Sequence, residues 1–303
     1  MRVPLAEIKS SVHDIEAGQN WTLSATCFRK EKSSPQAPVV LISSAAAMPR
    51  GFYAAFAQHL AASGAHAVVI YDYRGILDSA GDAARWHELN MRDWALLDFP
   101  ALANWCKDTF PTRPLVGLGH SYGGQALGLC GCSALFERYM TVATQSGHWR
   151  LTDEPLSVWV KTQIIGKFLA KLLGHIPAWA GFGLKLPGGI FLEWAKWVNT
   201  PDYFMSDPNL PEVSRYKDVN LPLLSLGLTD DTWGTEAAVS NFMLAYENAE
   251  LRRFWLAPKP DSKIGHFRFF RPENKDHCWP IAENFLLRGE WPEGLKESAR
   301  KPD

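Results

Sequence analysis

The sequence has little of what marks a secreted, membrane-spanning or nucleic-acid-binding chain. Five cysteines are scattered over 303 residues, and such a low, odd count argues against a disulfide framework and fits a reducing compartment. The formal net charge is -1, without a block of like charge, so we expect no nucleic-acid partner. The longest apolar stretch, residues 164–184, is interrupted by Lys167, Lys171 and His175. It is a poor membrane span, and we expect no stable membrane insertion.

Other sequence signals are missing as well. The first 18 residues carry charges throughout and contain no apolar core of a signal peptide, so we expect a cytoplasmic protein. Histidines and cysteines do not cluster at ligand spacing, which predicts no metal site. A Walker loop and a dinucleotide-binding glycine motif are also lacking, and we expect no cofactor. The sequence leaves a homodimer open.

What the chain does contain is a pattern of short apolar runs alternating with helical periodicity. Hydrophobic residues make up 47% and charged residues 21%, as in a globular protein. A hairpin of residues 8–14 and 21–28 is expected first. Buried strands are then predicted at 39–43, 67–71, 115–118, 140–144, 223–228 and 253–257. Helices are predicted at 51–63, 91–107, 124–136 and 272–287. This order predicts an α/β fold, with a mostly parallel central sheet and helices on both faces.

The alternation stops in the middle of the chain. Residues 147–220 hold five of the 13 tryptophans and read as two or three helices separated by glycine and proline. We interpret this segment as an inserted helical lid, with residues 1–146 and 221–303 forming the core. The tryptophans favour an apolar pocket under the lid or a core of the lid itself. Contact of the lid with membrane or lipid aggregates is a less favoured interpretation.

The sequence GLGHSYGG at 117–124 carries the strongest chemical signal. Ser121 lies between glycines two positions before and two positions after it, following a predicted strand and preceding a predicted helix. A sharp turn between strand and helix would present its hydroxyl, and small residues are needed there because the two backbones crowd. We therefore predict that Ser121 is a nucleophile. An ordinary turn serine is the alternative.

A serine nucleophile needs a base, and an acid that orients the base. Of nine histidines, His266 follows the last predicted strand of the core and is the favoured base, with His148 as the substitute. The acid is expected in the loop after the preceding strand, where Asp230 and Asp231 are adjacent. We favour Asp230.

An oxyanion requires N–H donors that are already in place. One is expected from the backbone of Tyr122, directly after the nucleophile. The other is expected from the loop that follows the first parallel strand, where Ala46 is the candidate and Ala47 the next choice. Trp233 and Phe267, beside the acid and the histidine, are candidates for lining a substrate pocket.

These motifs together resemble the α/β hydrolase superfamily. The resemblance is carried by GHSYG at 119–123, DYRG at 72–75, GLTDD at 227–231 and GHF at 265–267, in family order over nearly the whole chain. It looks most like a bacterial branch of predicted hydrolases. Two departures stand out: SSAAA replaces the family's His-Gly near the oxyanion hole, and Leu77 replaces a glycine. By resemblance, Asp72 and Arg74 would form a structural pair at a strand end.

The expected activity is that of a serine hydrolase acting on a carboxylic ester or thioester with an apolar acyl group, a small-molecule substrate. Acyl transfer and an aminopeptidase-like activity would use the same three side chains. A ligand-binding protein without catalysis is the alternative of a different class.

Overall fold

A computed structural model describes residues 8–298 of the chain. Residues 1–7 and 299–303 lie outside this range. Both stretches belong to the predicted core, and residues 1–7 are also part of the segment in which a signal peptide was not expected. Within the described range the strands are β1 (Ile8–Glu16), β2 (Thr22–Lys30), β3 (Val39–Ser43), β4 (Ala67–Tyr71), β5 (Leu115–His120), β6 (Arg138–Val142), β7 (His175–Ile176), β8 (Leu186–Pro187), β9 (Pro222–Leu228), β10 (Glu250–Leu256) and β11 (Lys296–Ser298).

Helices alternate with the central strands. They are α1 (Ala54–Ser63), α2 (Phe99–Thr109), α3 (Tyr122–Leu129), α4 (Pro155–Trp159), α5 (Lys167–Leu173), α6 (Gly188–Val198), α7 (Glu236–Met243) and α8 (Lys275–Glu283). Wider π-helical turns precede α2, join α4 to α5, and follow α8.

The central sheet has nine strands in the order β1-β2-β4-β3-β5-β6-β9-β10-β11. The six strands from β4 to β10 pair in parallel, and antiparallel strands complete both ends. These parallel strands are almost entirely buried because the sheet has two apolar cores, one on each face. The expected α/β hydrolase fold with a mostly parallel sheet is confirmed.

Several element boundaries differ from the sequence prediction. The helix predicted at 124–136 begins at Tyr122 and ends at Leu129, since the chain turns through Gly131 at a φ of +69°. Helix α7 and strand β11 had no clear periodic signal and were not predicted.

Residues 147–220 contribute no strand to the nine-stranded sheet in the described chain. They contain α4, α5, α6 and the small pair β7–β8. Helix α6 packs against α5 and supplies Ile190 and Trp194 to a cavity beside Ser121. The division into a core and a lid remains a prediction. None of the described helices combines the length and the apolar character needed to cross a bilayer.

Candidate active site

Ser121 stands at the sharp turn between β5 and α3. Its backbone has a φ of +51°, in the left-handed region that side chains other than glycine rarely adopt. A Cβ on Gly119 would overlap the backbone of Gly123, and a Cβ on Gly123 would overlap the carbonyl group of Ser43. The glycine spacing is therefore a steric requirement of this turn, as the sequence predicted.

His266 comes to Ser121 from the loop after β10. Its Nε2 lies 3.0 Å from the Oγ of Ser121, within hydrogen-bond distance. The ring is largely buried, with 11% of the side chain exposed. Gly265 directly before it has a φ of +50°, which lets the chain turn the ring toward the serine. The structure thus brings the predicted nucleophile and the predicted base together.

The carboxylate that contacts the histidine is Asp231. Its Oδ2 lies 2.7 Å from the Nδ1 of His266. Asp230 points elsewhere and accepts hydrogen bonds from the backbone N–H groups of Ile264 and Gly265, both at 2.9 Å. The preference for Asp230 as the residue that orients the histidine is therefore wrong. Asp230 instead fixes the loop that carries His266.

The surroundings of Asp231 favour its charged form. Burial raises the pKa of its carboxyl group, whereas the charge and the hydrogen bond of His266 lower it. The backbone N–H groups of Gly234 and Trp233 lower the pKa further, and the latter donates to Oδ1 at 2.9 Å. The net result is a pKa below the ordinary value. Asp231 can therefore hold the proton of His266 on Nδ1 and leave Nε2 free to accept the serine proton.

His120, next to the nucleophile, takes part in a hydrogen-bonded chain that sequence reasoning missed. The Tyr53 hydroxyl accepts from the backbone N–H of Ala45 at 2.9 Å and lies 2.8 Å from the Nδ1 of His120. The Nε2 of His120 lies 2.7 Å from the carbonyl oxygen of His266. The oxyanion loop and the histidine loop are thus joined through two buried side chains. The sequence signals that could have indicated this link are the tyrosine in the loop after β3 and the histidine directly before the serine.

Removing the Tyr53 hydroxyl is expected to destabilise the folded protein. In Tyr53→Phe, the buried N–H of Ala45 and Nδ1 of His120 both lose their partner, which should lower the free energy of unfolding by about 1–2 kcal/mol. Urea unfolding measures this loss. Tyr216→Phe is the matched control, because its equally buried hydroxyl donates to the carbonyl oxygen of Gln125 and does not link the two loops. Equal, small losses in both variants would contradict the linking role of Tyr53.

The candidate oxyanion donors lie on the cavity wall. Ala46, Ala47 and Tyr122 all line it. The N–H of Ala45 is already bonded to Tyr53, so Ala46 and Ala47 stay the candidates for the donor from this loop. Tyr122 is the first residue of α3, where N–H groups have no partner within the helix.

The cavity beside Ser121 has a volume of about 360 Å³ and is mostly apolar. Trp233 and Phe267, both predicted pocket residues, lie in its wall, and Trp233 stacks on Trp194 with ring centroids 6.0 Å apart. Further apolar side chains in the wall are Met48, Met91, Trp94, Phe182, Leu186 and Ile190. Polar groups come from Gln125, Gln145 and Tyr203. None of the wall residues carries a carboxylate, a lysine or an arginine.

Two further expectations are corrected by the structure. His148, the substitute base, lies at hydrogen-bond distance from the Val198 carbonyl, 3.2 Å away. Asp72 and Arg74 are both buried, but they do not pair with each other. Asp72 accepts from the guanidinium and the backbone N–H of Arg50.

Arg74 has its own partner. It bonds the buried Asp98 at 2.6 Å. Both ion pairs hold the chain near the end of β4 and lie outside the cavity wall.

Among residues 8–298, no group of three or more histidine, cysteine, aspartate or glutamate side chains is arranged to hold a metal ion. All five cysteines are free thiols.

Comparison with known proteins identifies the family of this chain. Residues 39–281 match the model of the alpha/beta hydrolase family. The chain belongs to this family. The match includes Ser121, Asp231 and His266, and membership supports a hydrolase. No relative of this hydrolase is found among curated proteins by sequence.

Solved structures share the fold. The esterase Pf2001 of Pyrococcus furiosus is 16% identical, with a TM-score of 0.59, 93% of this chain covered and 91% of that one. The mouse alpha/beta hydrolase domain-containing protein 10 is 16% identical, with a TM-score of 0.54 and coverages of 91% and 98%. The acylaminoacyl peptidase of Pyrococcus horikoshii is 16% identical, with a TM-score of 0.58. There the match covers 96% of this hydrolase but 43% of the peptidase.

Proposed function

We propose that this hydrolase cleaves carboxylic esters or thioesters with an apolar acyl group, using Ser121, His266 and Asp231. The observation that carries the proposal is the unbroken line of hydrogen bonds from Asp231 through His266 to the serine hydroxyl, at 2.7 and 3.0 Å. It ends in the wall of an apolar cavity. A binding protein has no need for such an arrangement, because it serves to remove a proton from the serine.

The geometry supports a two-step reaction. His266 accepts the Ser121 proton on Nε2 while Oγ attacks the substrate carbonyl carbon, and the oxyanion lies against the N–H groups of Ala46 and Tyr122. The intermediate collapses, and His266 donates its proton to the departing alcohol or thiol. Water then attacks the acyl-enzyme with His266 again accepting a proton, which releases the carboxylic acid and restores Ser121. Asp231 stays charged throughout and stabilises the imidazolium.

The cavity favours an ester over a peptide with a free amino terminus. Its wall contains no acidic side chain that could pair with an ammonium group. Aromatic and aliphatic side chains make up most of the surface instead, and they would stabilise an acyl chain by burial. Acyl transfer to another acceptor would use the same residues. A cytoplasmic location and a small-molecule ester as substrate are part of this proposal.

A fluorophosphonate probe tests the proposal directly. The probe phosphonylates only a serine that is activated by a base, so the purified protein is expected to gain the mass of one adduct. Ser121→Ala should gain none. Ser133→Ala is the matched control, since Ser133 is equally buried but lies outside the cavity wall. If the wild type melts cooperatively, and is therefore folded, but stays unlabelled, the proposed catalysis is rejected and the ligand-binding alternative is favoured.

Acyl chain length gives a second, quantitative prediction. From p-nitrophenyl acetate to p-nitrophenyl hexanoate, kcat/KM is expected to rise about tenfold. The stabilisation per added methylene is then smaller than the ~0.8 kcal/mol that a fully buried methylene contributes. Trp194→Ala, which removes a ring from the wall, should reduce this rise. A flat or falling series in the wild type would contradict an apolar acyl site.

A further inference from the structure

The helical segment from α4 through α5 leaves an apolar face uncovered. Leu156, Val160, Ile164, Phe168 and Leu172 succeed each other at intervals of four residues, and all are exposed. Phe168 is 63% and Leu172 65% exposed. The outer face, as we call it, consists of these five residues together with Ile165, Leu173 and Trp179. Among the twelve exposed large apolar side chains of the described residues, eight lie within residues 156–179, a concentration that differs from singly scattered surface residues.

The backbone keeps this stripe on one side. In an α-helix, residues four apart have rotated about 40° past a full turn, so a run of five would wind around the axis. The wider π-helical turn at Val160–Gly166 opposes this drift, because it holds more residues per turn. The opposite side of the segment is used for packing: Ala170 is buried, and Gly166 lies against the ring of Phe191 in α6. The outer face is therefore a surface distinct from the core contacts.

The charged side chains within the segment that carries the outer face have one sign. Residues 155–192 contain four lysines and not one aspartate or glutamate. Lys161, Lys167 and Lys171 lie in the same helical segment as the exposed apolar residues. Neighbouring Lys171 contributes, after burial, to a lowered pKa of Lys167, so the cations are close enough to repel each other. Apolar side chains alternating with uncompensated lysines are the composition of helices that lie in the interface of an anionic membrane.

We propose that the outer face docks on the surface of an anionic lipid bilayer, with its apolar side chains among the acyl chains and its lysines at the headgroups. The helix would lie in the plane of the interface and would not cross the bilayer. A second copy of this chain fits less well. A twofold contact places the same patch on both partners, so the lysines of two copies would face each other without an acid between them.

Docking in this orientation has a consequence for the cavity. Trp179, 76% exposed, lies two residues before Gly181, and Gly181, Phe182 and Gly183 line the cavity beside Ser121. The part of the outer face nearest to the substrate site would thus sit in the lipid interface. Apolar substrates dissolved in the bilayer could enter without crossing water. The docking itself does not depend on the chemistry of Ser121.

Vesicle flotation tests the proposal on the full chain. Vesicles of phosphatidylcholine alone are compared with vesicles that also contain about 30% phosphatidylserine. We expect binding to the anionic vesicles at least tenfold stronger than to the neutral ones, weakened by added salt. Lys161→Gln/Lys171→Gln should reduce binding to the anionic vesicles about tenfold. Phe168→Ser/Leu172→Ser should reduce it by a similar factor or more.

Controls keep docking separate from catalysis and from folding. Val12→Ser removes an exposed apolar side chain from β1, outside the outer face, and should bind vesicles like the wild type. Fluorophosphonate labelling should be unchanged in Phe168→Ser/Leu172→Ser, since neither residue lines the cavity. Ser121→Ala should bind vesicles normally even if the proposed hydrolysis fails. Equal binding to both vesicle types, no binding, or a dimer in light scattering that only Phe168→Ser/Leu172→Ser dissociates would overturn the proposal.

Discussion

Asp231→Asn is expected to lower kcat for a p-nitrophenyl ester by about 10⁴-fold while the protein stays folded. Asparagine keeps the shape of the side chain but would offer an N–H group to the Nδ1 of His266, which sits 2.7 Å from the carboxylate in the structure. The imidazole would then hold its proton on Nε2, facing the serine, and could not accept another. Steady-state kinetics at pH 8 measures the loss, and circular dichroism checks that the fold is retained.

The neighbouring residue provides a matched control. Asp230→Asn changes the same group at the adjacent position, but its carboxylate bonds only backbone N–H groups of the histidine loop. We expect a loss of about 1–3 kcal/mol in the free energy of unfolding and a less than tenfold fall in kcat. If Asp230→Asn lost as much activity as Asp231→Asn while remaining folded, the assignment of the acid would be reversed.

The two aspartates also show where sequence reasoning ends. Sequence placed the acid in the loop after β9, because acid and base loops follow strands that end at the same edge of the sheet, and β9 pairs in parallel with β10. It could not choose between neighbours. The choice depends on a turn, closed by the Asp231 N–H to the Leu228 carbonyl at 3.1 Å, which buries Asp231 and turns Asp230 toward the backbone.

Steric and periodic features were easier to predict. Val39–Ser43 and Ala67–Tyr71 are buried strands with the predicted bounds, because an unbroken apolar run flanked by polar residues has few alternatives in a parallel sheet. The glycines around Ser121 have no alternative at that turn. The π-helical turns gave no sequence signal, since they arise from tertiary packing. The outer face was not predicted either, because hydrophobic periodicity shows that a helix has an apolar side but not whether that side is buried.

The hydrogen bonds of His120 define its chemical state. A carbonyl oxygen can only accept, so the Nε2 of His120 carries the proton that is donated to the His266 carbonyl. In a neutral ring Nδ1 is then an acceptor, and it takes the proton of the Tyr53 hydroxyl, whose oxygen accepts from Ala45. This arrangement needs a neutral imidazole. Burial, and after it the nearby His266, lower the pKa of His120 to about 3.

Acid is therefore expected to destabilise the fold through His120. Well above pH 6.5, its ordinary pKa, the residue is neutral in both the folded and the unfolded state and contributes nothing to the pH dependence. As the pH falls from 6.5 toward 3, the unfolded chain binds a proton that the native state excludes, so stability decreases. Between pH 8 and pH 4.5 this group alone should remove about 3 kcal/mol from the free energy of unfolding.

Urea unfolding at the two pH values, on the wild type and on His120→Gln, isolates this contribution. Glutamine retains one acceptor for Tyr53 and one donor for the His266 carbonyl but does not titrate, so the variant should lose about 3 kcal/mol less than the wild type on acidification. Groups that do not interact with His120 titrate alike in both proteins and cancel in the difference. His87→Gln, at an exposed position, should follow the wild type. Identical losses in wild type and His120→Gln would mean that His120 accepts a proton in the folded state, and the hydrogen-bonded link between the oxyanion loop and the histidine loop would then have to rearrange in acid.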